Sequence, residues 1–223
     1  MTMLEQKTRY LQIAFNDDVD SVKRILPTIP HNDRILIEAG TPFIKREGSN
    51  GIRTIAKIWN GKIVADLKTT DGAIEEVELA YSSGATAATV LGSSPVETLD
   101  LFIQKCEEFG LDSMIDMLGV EDPLKVLLRL KKPPSVVVLH RGRDEETTRS
   151  SVIKYKHINR IRSRYDVLIS AAGGVDLKEA RSAIFNGANI VVVNIVTSED
   201  PWTGIRSDEN VSEIAEEFLE TID

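Results

Sequence analysis

The sequence has a single cysteine, Cys106. No internal disulfide can form, and a metal cluster built on thiolates is excluded. Cys106 falls inside the apolar pattern Leu99–Phe109, where it reads as a buried, inert thiol. Also missing is any apolar run near the ~20 residues needed to span a bilayer. The first ten residues are polar and charged, with no apolar signal-like stretch, so the expectation is a cytoplasmic protein with no membrane partner. Basic residues are outnumbered, 27 against 35 acidic ones, for a net charge of −8. That balance argues against nucleic acid as a partner, because sequence-independent binding needs a concentrated basic face. It leaves room for a small anionic substrate, since one arginine or a helix N-terminus can hold a phosphate. No linker or low-complexity tract interrupts the 223 residues, so one domain spanning 1–223 is expected. Lys131-Lys132-Pro133-Pro134 reads as a stiff helix-to-strand loop.

What is present is a regular alternation. Short apolar runs occur at Leu11–Phe15, Arg34–Gly40, Lys62–Lys68, Thr86–Gly92, Ser113–Gly119, Ser135–Gly142, Asp166–Gly173 and Asn189–Val196. Most are continuously apolar, as parallel strands covered by helices on their faces should be. Amphipathic stretches lie between them: Val19–Leu26, Ser49–Trp59, Ala73–Ser83, Pro95–Phe109, Pro123–Leu130, Val152–Arg164 and Leu177–Asn186, with a last helix at Asn210–Ile222. Ser94-Pro95, Asp122-Pro123 and Asp176 suit helix starts. Gly84, Gly110 and Gly187 follow helix ends, where a left-handed residue turns the chain back toward a strand. Eight βα units in this length point to a closed (β/α)₈ TIM barrel, with a doubly wound open sheet as the competing architecture.

In such a barrel, chemistry sits where strands end and βα loops begin. Strand two ends at Glu38-Ala39-Gly40-Thr41, strand three at Asp66-Leu67-Lys68 with Asp71 beyond, strand five at Asp116, strand six at His140-Arg141-Gly142-Arg143, and strand seven at Gly173-Gly174. The two-residue period of a strand sends Asp66 and Lys68 to the same side, into the barrel mouth. A lysine flanked by carboxylates stays protonated while it faces developing negative charge. Glu38, Asp66 and Asp116 on one rim suit Mg²⁺, which takes one or two carboxylates plus water and substrate. Each has an ordinary alternative. Glu38 or Asp116 alone could be a buried acid paired with a lysine, Asp71 alone reads as a helix N-cap, and His140 alone as a satisfied structural histidine. Their joint placement on four strand ends favours function.

Asp66-Leu67-Lys68-Thr69-Thr70-Asp71 matches the D-x-K-x-x-D signature of the orotidine 5′-phosphate decarboxylase suprafamily, and the chain resembles that group over nearly its whole length. With Glu38-Ala39-Gly40-Thr41-Pro42, Asp116 to Pro123, His140 to Glu145 and Ala172 to Val175, it looks most like the 3-hexulose-6-phosphate synthase family. The resemblance implies an Mg²⁺-dependent aldolase of the pentose phosphate type. It would interconvert D-arabino-hex-3-ulose 6-phosphate with D-ribulose 5-phosphate and formaldehyde through a 1,2-enediolate. It further implies Glu38 and Asp66 as metal ligands, Lys68 as stabiliser of the enediolate, His140 as proton carrier and Asp116 as a substrate-orienting group. Asp71 would reach a neighbouring subunit's site in a homodimer. Asn16, Arg143, Gly173 and Gly174 are expected against the substrate.

Two departures stand out. Asn16 takes the place of the family's first-strand aspartate, with Asp17 on the opposite side of the strand. Strand eight runs Val191-Val192-Val193-Asn194-Ile195-Val196, whereas members of the family it resembles end that strand in Gly-Gly or Gly-Arg for phosphate, and Trp202 is unusual on that rim. Arg143 could supply the missing charge. It also leans toward the alternative, 3-keto-L-gulonate-6-phosphate decarboxylase, and a paralogue that binds sugar phosphates without turnover is a third reading.

Overall fold

A computed structural model describes residues 4–146 and 152–223. Eight strands occur in chain order: β1 Tyr10–Phe15, β2 Ile35–Ala39, β3 Lys62–Thr69, β4 Ala87–Leu91, β5 Asp112–Asp116, β6 Val136–His140, β7 Leu168–Ala172 and β8 Ile190–Val196. Each pairs in parallel with the next, and β1 pairs with β8 at Tyr10–Ile190 through Ala14–Asn194. That last pairing closes the sheet, so this is a TIM barrel and the open-sheet alternative is excluded. A two-residue strand, β9 (Ile205–Arg206), adds in parallel to the upper end of β8.

The helices are α1 Val19–Ile25, α2 Thr41–Ile58, α3 Ala73–Ser82, α4 Val96–Phe109, α5 Pro123–Leu127, α6 Arg143–Glu146, α7 His157–Arg162, α8 Leu177–Phe185 and α9 Val211–Thr221. Asp18, Asp176 and Asn210 cap α1, α8 and α9 by accepting a backbone N–H three residues on. Gly84, Gly110 and Gly187 hold positive φ at helix ends, as the Gly-Ala and Gly-Leu junctions require. Cys106 lies buried on α4, and burial pushes its thiol pKa up.

Three elements differ from the sequence reading. The helix expected from Ser49 begins at Thr41, where Pro42 suits the first turn, and breaks at Gly48 (φ 61°, ψ −154°) before resuming. That break hides the first segment from a periodicity reading. The helix expected over Val152–Arg164 shrinks to His157–Arg162, and a single turn, α6, follows β6 instead.

The apolar core has two shells. The larger lies between strands and helices and includes Leu11, Ile13, Ile37, Phe43, Phe102 and Ile169. The smaller fills the barrel itself with Tyr10, Leu36, Val64, Met114, Val136, Leu168 and Ile190, and Leu4 joins it. At the same end, Arg9 donates to the carbonyls of Ile222 and Asp223 (3.0 and 2.5 Å), and Arg34 pairs with Asp223. Both ends of the described chain therefore meet on the face where the strands begin.

Candidate active site

The site follows from the pleat of the strands. One step of two residues toward the strand ends turns Leu36 into Glu38, Val64 into Asp66, Met114 into Asp116, Val138 into His140 and Val192 into Asn194. The barrel interior is thus apolar below and ionisable above. These polar residues line one cavity of about 480 Å³, together with Gln12, Asn16, Thr41, Lys68, Thr89, Arg143 and Gly173.

Lys68 is the hub. Its Nζ donates to Asp66 Oδ1 and Oδ2 at 3.0 and 2.9 Å and to Asp116 Oδ2 at 2.8 Å. Burial disfavours the ammonium, but the two carboxylates outweigh it and hold the lysine pKa above that of free lysine. Asp116 also meets His140 Nδ1 at 2.8 Å and accepts the Leu118 N–H at 2.9 Å. Burial alone would raise the Asp116 pKa; His140 and Lys68 overcome it and hold the group far below the carboxylate range. Burial pulls His140 down, and Asp116 more than compensates, so the imidazole pKa is raised.

Asp66 is held on every side. Thr89 Oγ1 donates to its Oδ1 at 2.8 Å, and Thr41 Oγ1 donates to its Oδ2 at 2.6 Å. The same Thr89 hydroxyl accepts the Lys68 N–H at 2.9 Å. Lys68 does not reach the cavity by regular pleating. Its φ is +47°, and the β3–β4 register shifts between Ala65 and Thr69. A left-handed lysine is sparsely populated backbone, which the Thr89 contact and the two ion pairs hold in place.

The remaining expected residues divide. Asn16 lines the cavity and donates from Nδ2 to Asn194 Oδ1 at 2.9 Å, while Asp17 faces outward to Arg46 at 2.8 Å. Arg143 lines the cavity, its guanidinium 4.3 Å from the Trp202 ring centre. Gly173 lines it and Gly174 lies just outside; their carbonyls accept from Arg141 Nη2 at 2.9 and 3.2 Å. Asp71 is exposed and outside the cavity lining, and it is not the cap of α3 either: Gly72 takes that position in a left-handed conformation. Gln12, Thr41, Thr89 and Asn194 went unassigned. Gln12 carried a signal, a polar side chain within a run of buried strand residues.

Gly173 has φ +103°, and a β-carbon there would sit 1.9 Å from the Arg141 carbonyl oxygen. Gly173→Ala is expected to cost on the order of 3 kcal/mol through strain and displaced backbone. Urea unfolding of the two proteins checks this.

A divalent cation suits one corner of the cavity. Glu38 is buried beside Asp66, and burial together with that negative neighbour raises its pKa to about 7. Gln12 Nε2 donates to Glu38 Oε2, leaving Gln12 Oε1 buried with no partner. Among the described residues no cluster of three or more acidic, histidine or cysteine ligands occurs. Two carboxylates and a stranded amide oxygen nevertheless fit a hard ion that completes its shell with water and substrate.

The fold and this rim of strand-end charges define an α/β barrel with an ionisable mouth, and comparison places it. The chain belongs to the orotidine 5′-phosphate decarboxylase / HUMPS family, whose profile matches residues 9–206. It is 36% identical over 212 residues to a bifunctional enzyme Fae/Hps of Methanothrix thermoacetophila, covering 94% of this chain and 52% of that protein. With the Fae/Hps of Methanocella arvoryzae it is 40% identical over 189 residues, 82% of this chain and 48% of that one. The chain spans about half the length of the curated relatives it matches. Among solved structures, 3-hexulose-6-phosphate synthase from Salmonella typhimurium superposes with a TM-score of 0.81 at 24% identity, covering 96% and 98% of the two chains. KGPDC from Streptococcus mutans gives 0.73 at 17%, covering 97% and 98%. No helix of the described residues is long and apolar enough to cross a membrane.

Proposed function

We propose that the chain is an aldehyde-lyase of the 3-hexulose-6-phosphate synthase type, a cytoplasmic homodimer acting on a sugar phosphate and formaldehyde. The observation that carries this reading is the ammonium of Lys68 set between Asp66 and Asp116, with His140 on the same Asp116 carboxylate. Loss of a C1 proton from D-ribulose 5-phosphate gives a 1,2-enediolate, and Lys68 lies where that negative charge develops. His140, held by Asp116, carries the proton. C1 then bonds to the formaldehyde carbon, and the resulting alkoxide takes up a proton to give D-arabino-hex-3-ulose 6-phosphate; the reverse cleaves the same bond. Glu38 and Asp66 would hold Mg²⁺, which supplies fixed positive charge at the reacting oxygens when bound. Arg143 and Gly173 would face the phosphate end, with Gly174 supporting Arg141 behind them and Asn16 on a hydroxyl. Asp71, exposed and unused within its own cavity, would serve the partner subunit's site.

Formaldehyde-dependent consumption of ribulose 5-phosphate tests the reading. The presence of Arg143 in the cavity favours a second one, decarboxylation of 3-keto-L-gulonate 6-phosphate, which CO₂ release would reveal. Equal rates in EDTA and in Mg²⁺ would sink both. Because Glu38 carries a proton near neutrality, Mg²⁺ binding is expected to release part of a proton at pH 7 and to weaken as pH falls below about 7. Calorimetry in two buffers of different ionisation enthalpy measures that release.

A further inference from the structure

The cations lining the cavity are not equally available. Lys68 is consumed by Asp66 and Asp116, and His140 by Asp116. Arg143 alone among these makes no ion pair within 4 Å among the described residues. Its guanidinium lies 4.3 Å from the centre of the Trp202 ring instead. An arginine stacked on an indole keeps its N–H fork in the guanidinium plane, free to bind an oxyanion in two-point fashion. Stacking also removes the rotamer freedom that a solvated loop arginine would lose on binding.

The chain goes some way to place that indole. After β8, residues Thr197 to Gly204 loop out and return as β9. Thr197 is tied to Asp200 Oδ2 through its N–H (2.7 Å) and hydroxyl (3.0 Å), and Arg206 donates to the Thr197 carbonyl at 2.7 Å. Gly204 approaches so closely that a β-carbon would lie 2.3 Å from the Asn194 carbonyl oxygen. Trp202 is thus carried on a pinned excursion beside α6, which bears Arg143. The rest of that rim is acidic: Asp144, Glu145 and Glu146 also line the cavity, so an anion arriving there has Arg143 as its available cation.

Resting on the reading of the substrate as a sugar phosphate, we propose that Trp202 is a positioning residue: by stacking on Arg143 it sets the guanidinium that grips the substrate's phosphate. This pair takes over a task that β8, which carries neither glycine nor arginine, cannot perform, and it sits across the barrel from the β2–β3 side that bears Glu38 and Lys68. Trp202 touches no reacting atom, so its effect falls on binding and not on chemistry.

The test uses two probes on the full chain. Inorganic phosphate is titrated while tryptophan emission is followed, a measurement that needs no turnover. A phosphate-dependent change is expected in the wild type and in Arg143→Lys at weaker affinity, and its loss in Trp202→Phe shows that Trp202 is the reporter. In steady-state kinetics, Trp202→Ala is expected to raise KM for D-ribulose 5-phosphate about tenfold with kcat within twofold. Trp202→Phe, which keeps a ring face, restores most of that KM. In an Arg143→Ala background, Trp202→Ala should add nothing further. Additive effects of the two substitutions, a fall in kcat at unchanged KM, or phosphate affinity measured by calorimetry that is indifferent to Trp202→Ala would overturn the proposal. If the emission experiment succeeds while no aldol turnover is found, the positioning role stands and the assigned reaction fails.

Discussion

Lys68→Met is expected to lower kcat about a thousandfold and to destabilise the barrel by about 3 kcal/mol at neutral pH. Both numbers come from one ammonium. On the proposed reaction, catalysis loses the positive charge set against the enediolate, and methionine, though similar in length, offers no donor. The fold loses the cation between two largely buried carboxylates, whose side chains are only 10% and 2% exposed. An unpaired buried charge costs more than the pair contributed. Lys68→Asn divides the two contributions differently, because asparagine tolerates the positive φ at this position better than methionine. Its stability loss should be smaller than that of Lys68→Met, while its activity loss should be as large. Chemical denaturation and single-turnover assays on both variants decide this. Wild-type activity in either one would remove Lys68 from the reaction centre.

Asp116→Asn is the second large effect, and it reads out in pH. Asp116 holds Lys68 and His140 together, and its charge is the reason the His140 pKa lies above the ordinary histidine value. Without that charge, burial and the nearby ammonium are opposed only by the smaller pull of Asp66, and the His140 pKa falls. Activity is expected to drop on the order of a hundredfold, with the imidazole titration moving down the pH scale by NMR. The stability consequences have opposite signs for the two partners. A raised histidine pKa stabilises the native state fully below the unfolded value near 6.5, and this is lost as pH rises through the folded value. The depressed Asp116 pKa stabilises above its unfolded value of 3.8, and this is lost as pH falls toward the folded one. The pair therefore contributes most between those limits, in mildly acidic solution. Asp116→Asn should lower the unfolding free energy across that window and flatten its pH dependence on either side of it. An unchanged His140 titration would show that the carboxylate does not control the imidazole.

Much of this site was legible because the barrel obeys simple periodicities. Continuous apolar runs ending in a single acid or histidine mark strands whose last inward residue faces the mouth, and Glu38, Asp66, Asp116 and His140 were all found that way. Lys68 was placed on the right side for an incomplete reason. A two-residue step points it inward on paper, whereas the backbone leaves the pleat at that residue and the side chain returns through its ion pairs. The residues that hold the acids were hidden. Thr41 and Thr89 look like ordinary strand-end and strand threonines, and only tertiary contact shows both hydroxyls on Asp66. The helix at Thr41 was obscured by the break at Gly48, and Asp71 resembled an N-cap until Gly72 proved to hold that position. Arg141 was visible only as part of a motif. Its bonds to two carbonyls beyond β7 depend on Gly173 and Gly174 approaching it, which no spacing rule reveals.

The clasp that Arg9 and Arg34 make with the last residues, at the end where the strands begin, carries an architectural consequence. The mouth of the barrel is at the opposite end. Leu4 and the last residues therefore lie away from Lys68 and Trp202 and leave ligand traffic there unobstructed. The curated relatives, about twice as long, carry further sequence beyond the part that this chain matches.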